Sequence, residues 1–225
     1  MRLNADVGEI AERVANGDDD ALIAVLDDAN VACGGHAGDD DTMAASARSC
    51  RRHGVRLGAH PSFPDRANFG RTAMTLTAAA LSSTTKEQLS RLRDVAQGVG
   101  VAVEFVKPHG ALYHHLGASL DDALVFVDAV RDVVGDVPLV LFHQAPVRAA
   151  LVARGVVVVK EGFADRGKDA RGFLLPRGAP GALLGPDEAV DQLKRISDVD
   201  TVCVHGDGPH ALAVAQRVSA ALRRR

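Results

Sequence analysis

Lysine, histidine and carboxylate side chains recur at fixed places in this chain, each just after a short apolar run. Lys107 and His109 follow Val101–Val106 and are separated by Pro108. Asp6 and Glu9 follow the first such run, His36 the second, His60 the third, Lys160 and Glu161 the sixth, and His205 with Asp207 the seventh. Imidazoles exchange protons near neutral pH and carboxylates accept them, an ammonium stabilises a developing oxyanion, and both imidazole and carboxylate bind metals. The chemistry they point to is hydrolytic acid–base work. Arg66 and Arg71 in "GAHPSFPDRANFGR" add guanidinium forks that suit a carboxylate or phosphate, although an ion pair with Asp65 explains either one equally well.

Something must hold these groups together, and the apolar runs do so. They read as strands at Arg2–Ala5, Ala29–Cys33, Val55–Ala59, Val101–Val106, Val137–Phe142, Val156–Val159 and Thr201–Val204. Helical patterns fall between them, near residues 19–28, 40–53, 85–98, 119–134, 145–154, 187–197 and 209–223. Asp39 and Ser119 read as N-caps, and Gly54, Gly135 and Gly155 as stops. Strict alternation of strand and helix predicts a parallel sheet. Polar groups follow all seven strands, whereas an open sheet gathers ligands at one switch point, so the expectation is an α/β fold: a seven-stranded, TIM-like (β/α)7 barrel with its site at the C-terminal mouth. One domain over 1–225 is expected from the length and the 47% hydrophobic content.

Composition removes several function classes. A net charge of −3 with both signs mixed gives no basic face for nucleic acid, and 4% aromatic residues leave little for base stacking. No apolar run exceeds six residues, so no membrane span is expected, and Asp6 with Glu9 stands where a signal peptide would need its apolar stretch. Cys33, Cys50 and Cys203 are odd in number and unpaired in spacing, which fits a reducing compartment; the expected location is the cytoplasm. Cys33 fits a small apolar strand residue better than a nucleophile.

"GFADRGKD" at 162–169 mimics the front of a phosphate-binding P-loop. Asp169 stands where a Ser or Thr hydroxyl is required, and Gly172, Pro176, Gly178 and Pro180 forbid the helix that would follow. The segment is expected to be a loop that carries Asp165, Arg166 and Arg177 to the mouth. The chain contains no G-x-S-x-G, H-E-x-x-H or G-x-G-x-x-G motif.

Six segments in order, "LNADVGE", "NVACGGHAGD", "GAHPSFPDRANFGR", "VKPHGALY", "GFADRG" with "LLPR", and "VCVHGDGPHAL", closely resemble the LamB/YcsF family, the A-component proteins of 5-oxoprolinase. Gly35, Lys168 and His114 stand where many members have Phe, Tyr and Asn. The resemblance implies a distorted TIM-like barrel of the glycoside hydrolase/deacetylase type. It also implies a role with partner subunits B and C in opening 5-oxoproline to L-glutamate at the expense of ATP. With no P-loop here, ATP is expected on the partners.

For that activity Asp6, His60 or His109 is the expected base for water, Lys107 the clamp on the oxyanion, and Arg66 or Arg71 the grip on the substrate carboxylate. Glu9, His36, Glu161, Asp165, Arg166 and His205 are expected to line the substrate site. Two rival readings stand beside this one. In the first, Asp6, His36 and His60 hold a metal in an amide or ester hydrolase. In the second, the chain only captures oxoproline or scaffolds its partners. A homo-oligomer is compatible with the sequence.

Overall fold

In the computed structural model, which describes all residues except 170, 171, 173, 176, 177, 207, 209 and 225, seven parallel strands close into a barrel. Arg177 and Asp207 therefore lie outside the described residues. The strands are β1 (Arg2–Val7), β2 (Asp28–Ala32), β3 (Arg56–His60), β4 (Phe105–Val106), β5 (Leu139–Phe142), β6 (Val158–Phe163) and β7 (Thr201–Val204), paired in chain order with β7 returning to β1. The helices are α1 (Ala11–Ala15), α2 (Asp18–Ile23), α3 (Asp40–His53), α4 (Ala78–Gly98), α5 (Gly110–Ala118), α6 (Leu120–Val134), α7 (Arg148–Val152), α8 (Pro186–Arg195) and α9 (Ala211–Leu222). This is the helix-wrapped, distorted TIM-like barrel that the alternating pattern predicts. Among the described residues no helix is long and apolar enough to cross a membrane.

Local chemistry sets several boundaries. Asp39 caps α3 by accepting from Thr42 N at 2.8 Å, while Thr42 Oγ1 accepts from Asp39 N at 2.9 Å. Ser119 accepts from Asp122 N and so caps α6. Helix α4 starts about two turns earlier than residue 85, because the alanines at 78–80 favour helix and Thr77 caps Ala80 N.

Strand β4 is much shorter than the apolar run Val101–Val106. Val101 N is tied back to Ala96 O at the end of α4, and Pro138 accepts from Val106 N but has no N–H to return. Strand β6, in contrast, continues through Lys160 and Glu161 to Phe163, because the barrel interior satisfies Glu161. Gly58 shows how tightly β3 and β4 pack, since a Cβ there would lie 2.1 Å from the Phe105 ring.

Candidate active site

The barrel floor is a buried ion network. Lys107 Nζ lies 3.0 Å from Asp6 Oδ1, 3.1 Å from Glu161 Oε1, 3.2 Å from Asn4 Oδ1 and 3.1 Å from Cys203 Sγ. Asn30 donates to Asp6 Oδ1 at 2.8 Å, Asn4 donates to Glu161 Oε1 at 3.0 Å, and Tyr113 Oη–H donates to Glu161 Oε2 at 2.7 Å. Parallel pairing puts this network in register: Asp6 pairs with Asn30, and Glu161 with Thr201.

Burial works to raise the Asp6 pKa, but the adjacent His60 and Lys107 outweigh it and hold the carboxyl well below its usual range. Burial likewise works to lower the Lys107 pKa, and Asp6 and Glu161 outweigh it, so the ammonium persists well above its ordinary value. Burial pushes the Cys33 thiol up to about 12 and Cys203 well above its normal range, so neither is a thiolate nucleophile.

Above the floor lies an imidazole cluster. His36 stacks flat on His109, with ring centroids 3.7 Å apart and planes 3° apart, and His36 Nε2 is 3.0 Å from Glu9 Oε1. His109 Nδ1 is 2.9 Å from His60 Nε2. Burial first, then the neighbouring rings, pushes the His36 and His109 pKa values down, so both rings are neutral. Glu9, His36, His60 and His109 each bring one donor atom to a group spanning no more than 4.8 Å, a potential metal-binding cluster. His36 Nδ1 is buried with no hydrogen-bond partner.

A cavity of about 460 Å³ opens at this end of the barrel, lined by Asp6, His60, Arg71, Lys107, His109, Arg166 and His205 among others. Asp165 accepts from the backbone N–H of the lining residue His205 at 2.7 Å and from its ring Nδ1 at 3.0 Å. Arg71 lies 4.7 Å over the Phe69 ring. Arg66 points elsewhere, donating to Gly38 O at 2.9 Å and Gly34 O at 3.3 Å, which ties its loop to the one before α3. The expected residues other than Arg66 thus converge on the cavity, the imidazole cluster or the ion network beneath.

Comparison with known proteins agrees with this arrangement. A family model described as the LamB/YcsF family matches residues 1–225. The chain belongs to the LamB/YcsF family. It is similar to the crystal structure of a lactam utilization protein from Thermus thermophilus, with 32% identity over 100% of this chain and 96% of that one and a TM-score of 0.88. A family 4 carbohydrate esterase from Streptomyces lividans, solved with acetate, shares the fold alone: 14% identity, 100% and 88% coverage, TM-score 0.51.

Of the three positions set apart in the sequence of this LamB/YcsF chain, His114 lines the cavity but Gly35 does not. A Cβ at Gly35 would lie 2.2 Å from Gln88 Oε1, the group that accepts from Ser62 N. Lys168 bridges to Leu174 and its pKa is lowered by burial. Sequence reasoning missed Asn4, Asn30 and Tyr113 as site residues. The signal for the first two was an amide in the middle of an apolar strand, which needs a polar partner inside the barrel. Tyr113 was legible as the chain's sole tyrosine, one turn into the helix after "KPHG".

Proposed function

We propose that the chain is a hydrolase component of the ATP-dependent 5-oxoprolinase type, which opens the 5-oxoproline lactam to L-glutamate. The observation that carries this reading is the full-length likeness to a lactam utilization protein at 32% identity. The cavity supports it, since its size falls within the range of small-molecule sites and its wall combines the Asp6 carboxylate with imidazoles and guanidinium. A lactam amide is a poor electrophile, and phosphorylation of its oxygen by ATP supplies a leaving group. That step is assigned to partner subunits B and C, because among its described residues the loop after β6 carries neither a helix before Pro186 nor a phosphate cradle.

In this reading Arg71 holds the substrate carboxylate. His205 is the base for water: with Nδ1–H directed at Asp165, Nε2 is the ring's acceptor, oriented by a fixed carboxylate. Asp6, ion-paired with Lys107 through Oδ1, stays a carboxylate and orients water or the lactam N–H from the floor. Lys107 holds that carboxylate in place, its ammonium offsetting one of the two negative charges that Asp6 and Glu161 bring to the floor.

The test is oxoproline-dependent ATP hydrolysis, measured with this chain alone and then with both partners. Turnover is expected only when all three are present. An assembled trio that hydrolyses ATP without regard to oxoproline sinks the reading.

A further inference from the structure

The imidazole cluster has a hydrogen-bonding problem that its own atoms do not solve. His60 Nδ1 lies 2.7 Å from Lys107 O, and His109 Nε2 lies 3.0 Å from Phe69 O. A carbonyl only accepts, so each of these nitrogens carries its ring's proton. If each ring carries that one proton, the remaining nitrogens, His60 Nε2 and His109 Nδ1, are both lone pairs. They face each other across 2.9 Å. Carboxylate oxygens close the group, with Glu9 Oε1 3.5 Å from His109 Nδ1 and Asp6 Oδ1 3.4 Å from His60 Nε2. Asp6 Oδ1 already receives Asn30 and Lys107, and Glu9 Oε1 receives His36, but two buried imidazole lone pairs in contact are unfavourable unless a cation or a proton sits between them.

We propose that His60 Nε2, His109 Nδ1 and the Glu9 carboxylate bind a divalent transition-metal ion, with His36 donating from Nε2 to Glu9 and so orienting it. Imidazole with carboxylate suits Zn²⁺, Co²⁺ or Fe²⁺ and not Mg²⁺ or Ca²⁺. An ion about 2.0–2.1 Å from each donor in tetrahedral geometry sets the donors roughly 3.3 Å apart. The spacings of 2.9 Å and 3.5 Å bracket that value. The outer contacts also fit, because the Lys107 and Phe69 carbonyls fix ring orientation and tautomer as second partners of metal-bound histidines do.

Gly70, at φ +66°, lets the loop after β3 close over the cluster, since a Cβ there would lie 2.9 Å from His36 Cβ and 3.1 Å from His109 Cδ2. Three protein donors leave a coordination position open beside the cavity wall, where His60 and His109 both appear, for water or a ligand oxygen. The competing solution is a single proton held between His60 Nε2 and His109 Nδ1, which metal titration separates from a bound ion.

The inference does not rest on the lactam reading, and its test reads metal, not turnover. Chelator-treated full chain is titrated with Co²⁺, followed by visible absorption, and with Zn²⁺ by calorimetry. One ion per chain is expected, with ligand-field bands of nitrogen-coordinated Co²⁺. His60→Gln and His109→Gln should each weaken binding more than the roughly 10–100-fold typical of outer contacts, whereas His36→Gln should fall within that range. Circular dichroism checks that each variant is folded. Wild-type protein that gives no Co²⁺ bands overturns the proposal without recourse to any variant. So does a folded His109→Gln chain with unchanged affinity, or a strongly deshielded shared N–H–N proton in nitrogen-15 spectra that survives added Co²⁺.

Discussion

Asp165 accepts two hydrogen bonds from one residue, His205: the backbone N–H at 2.7 Å and ring Nδ1 at 3.0 Å. This double hold fixes both the position and the tautomer of the imidazole, so Nε2 is the acceptor. His205→Gln should lower kcat of ring opening by the assembled complex about 10²–10⁴-fold, the usual range for losing a positioned base. Asp165→Asn should lower kcat similarly and shift the pH–rate profile, which a purely structural role would not do. An unchanged profile in a folded Asp165→Asn complex argues against the dyad.

Arg71 and Arg66 separate two roles that look equivalent in sequence. Arg71 lines the cavity, whereas Arg66 ties the Gly34–Gly38 loop through backbone carbonyls. Arg71→Ala should raise KM for the lactam roughly 10–100-fold, the value of a charge-assisted hydrogen bond. Arg66→Ala should leave KM near wild type and lower thermal stability. Steady-state kinetics paired with melting curves decide between them, and the reverse pattern would exchange the assignments.

Lys107 is the cation held between the carboxylates of Asp6 and Glu161. Lys107→Met leaves both acids buried without this partner and should destabilise the chain by about 3–5 kcal/mol. Adding Glu161→Gln removes one of the stranded charges, so the double variant should be more stable than the sum of the single effects. Urea unfolding of the four proteins in the cycle measures the coupling; strict additivity would contradict the ion network.

Acid stability follows from Asp165. Burial alone would raise its pKa, but the His205 and Arg166 charges and the two His205 hydrogen bonds outweigh that and lower it in the folded state. A depressed folded pKa contributes stability that is complete above the unfolded value of about 3.9 and is lost as pH falls through the folded value. Asp165→Asn should therefore lose about 1.5–3 kcal/mol at pH 7, with the gap to wild type closing as pH falls through the depressed folded value. Denaturation midpoints from pH 7 to pH 2 check the sign; a gap that widens in acid refutes it.

Local pattern carried the architecture. Period-2 and period-3.6 apolar spacing, the Asp39 and Ser119 caps and the polar residue after each strand were enough to read a seven-stranded barrel with its site at the C-terminal mouth. Where competing long-range contacts entered, the pattern failed. Val101–Glu104 looks like strand but Val101 is tied to α4, and Lys160–Glu161 looks like a strand end but continues β6 because Asn4, Tyr113 and Lys107 receive Glu161. Helix α5 went unread because the histidines of "GALYHHLGA" hide the Leu112–Leu116 repeat.

By itself, then, the sequence determined which groups are present and that strand ends present them at one mouth, since period and capping are properties of neighbouring residues. Only the tertiary structure decided the partnerships: that Asp165 holds His205, that Lys107 is bound between two acids, and that Lys107 O and Phe69 O turn two imidazoles nitrogen to nitrogen. Those contacts join residues about forty or more positions apart. Barrel closure brings them within hydrogen-bond distance, and no local spacing rule encodes which nitrogen meets which carbonyl.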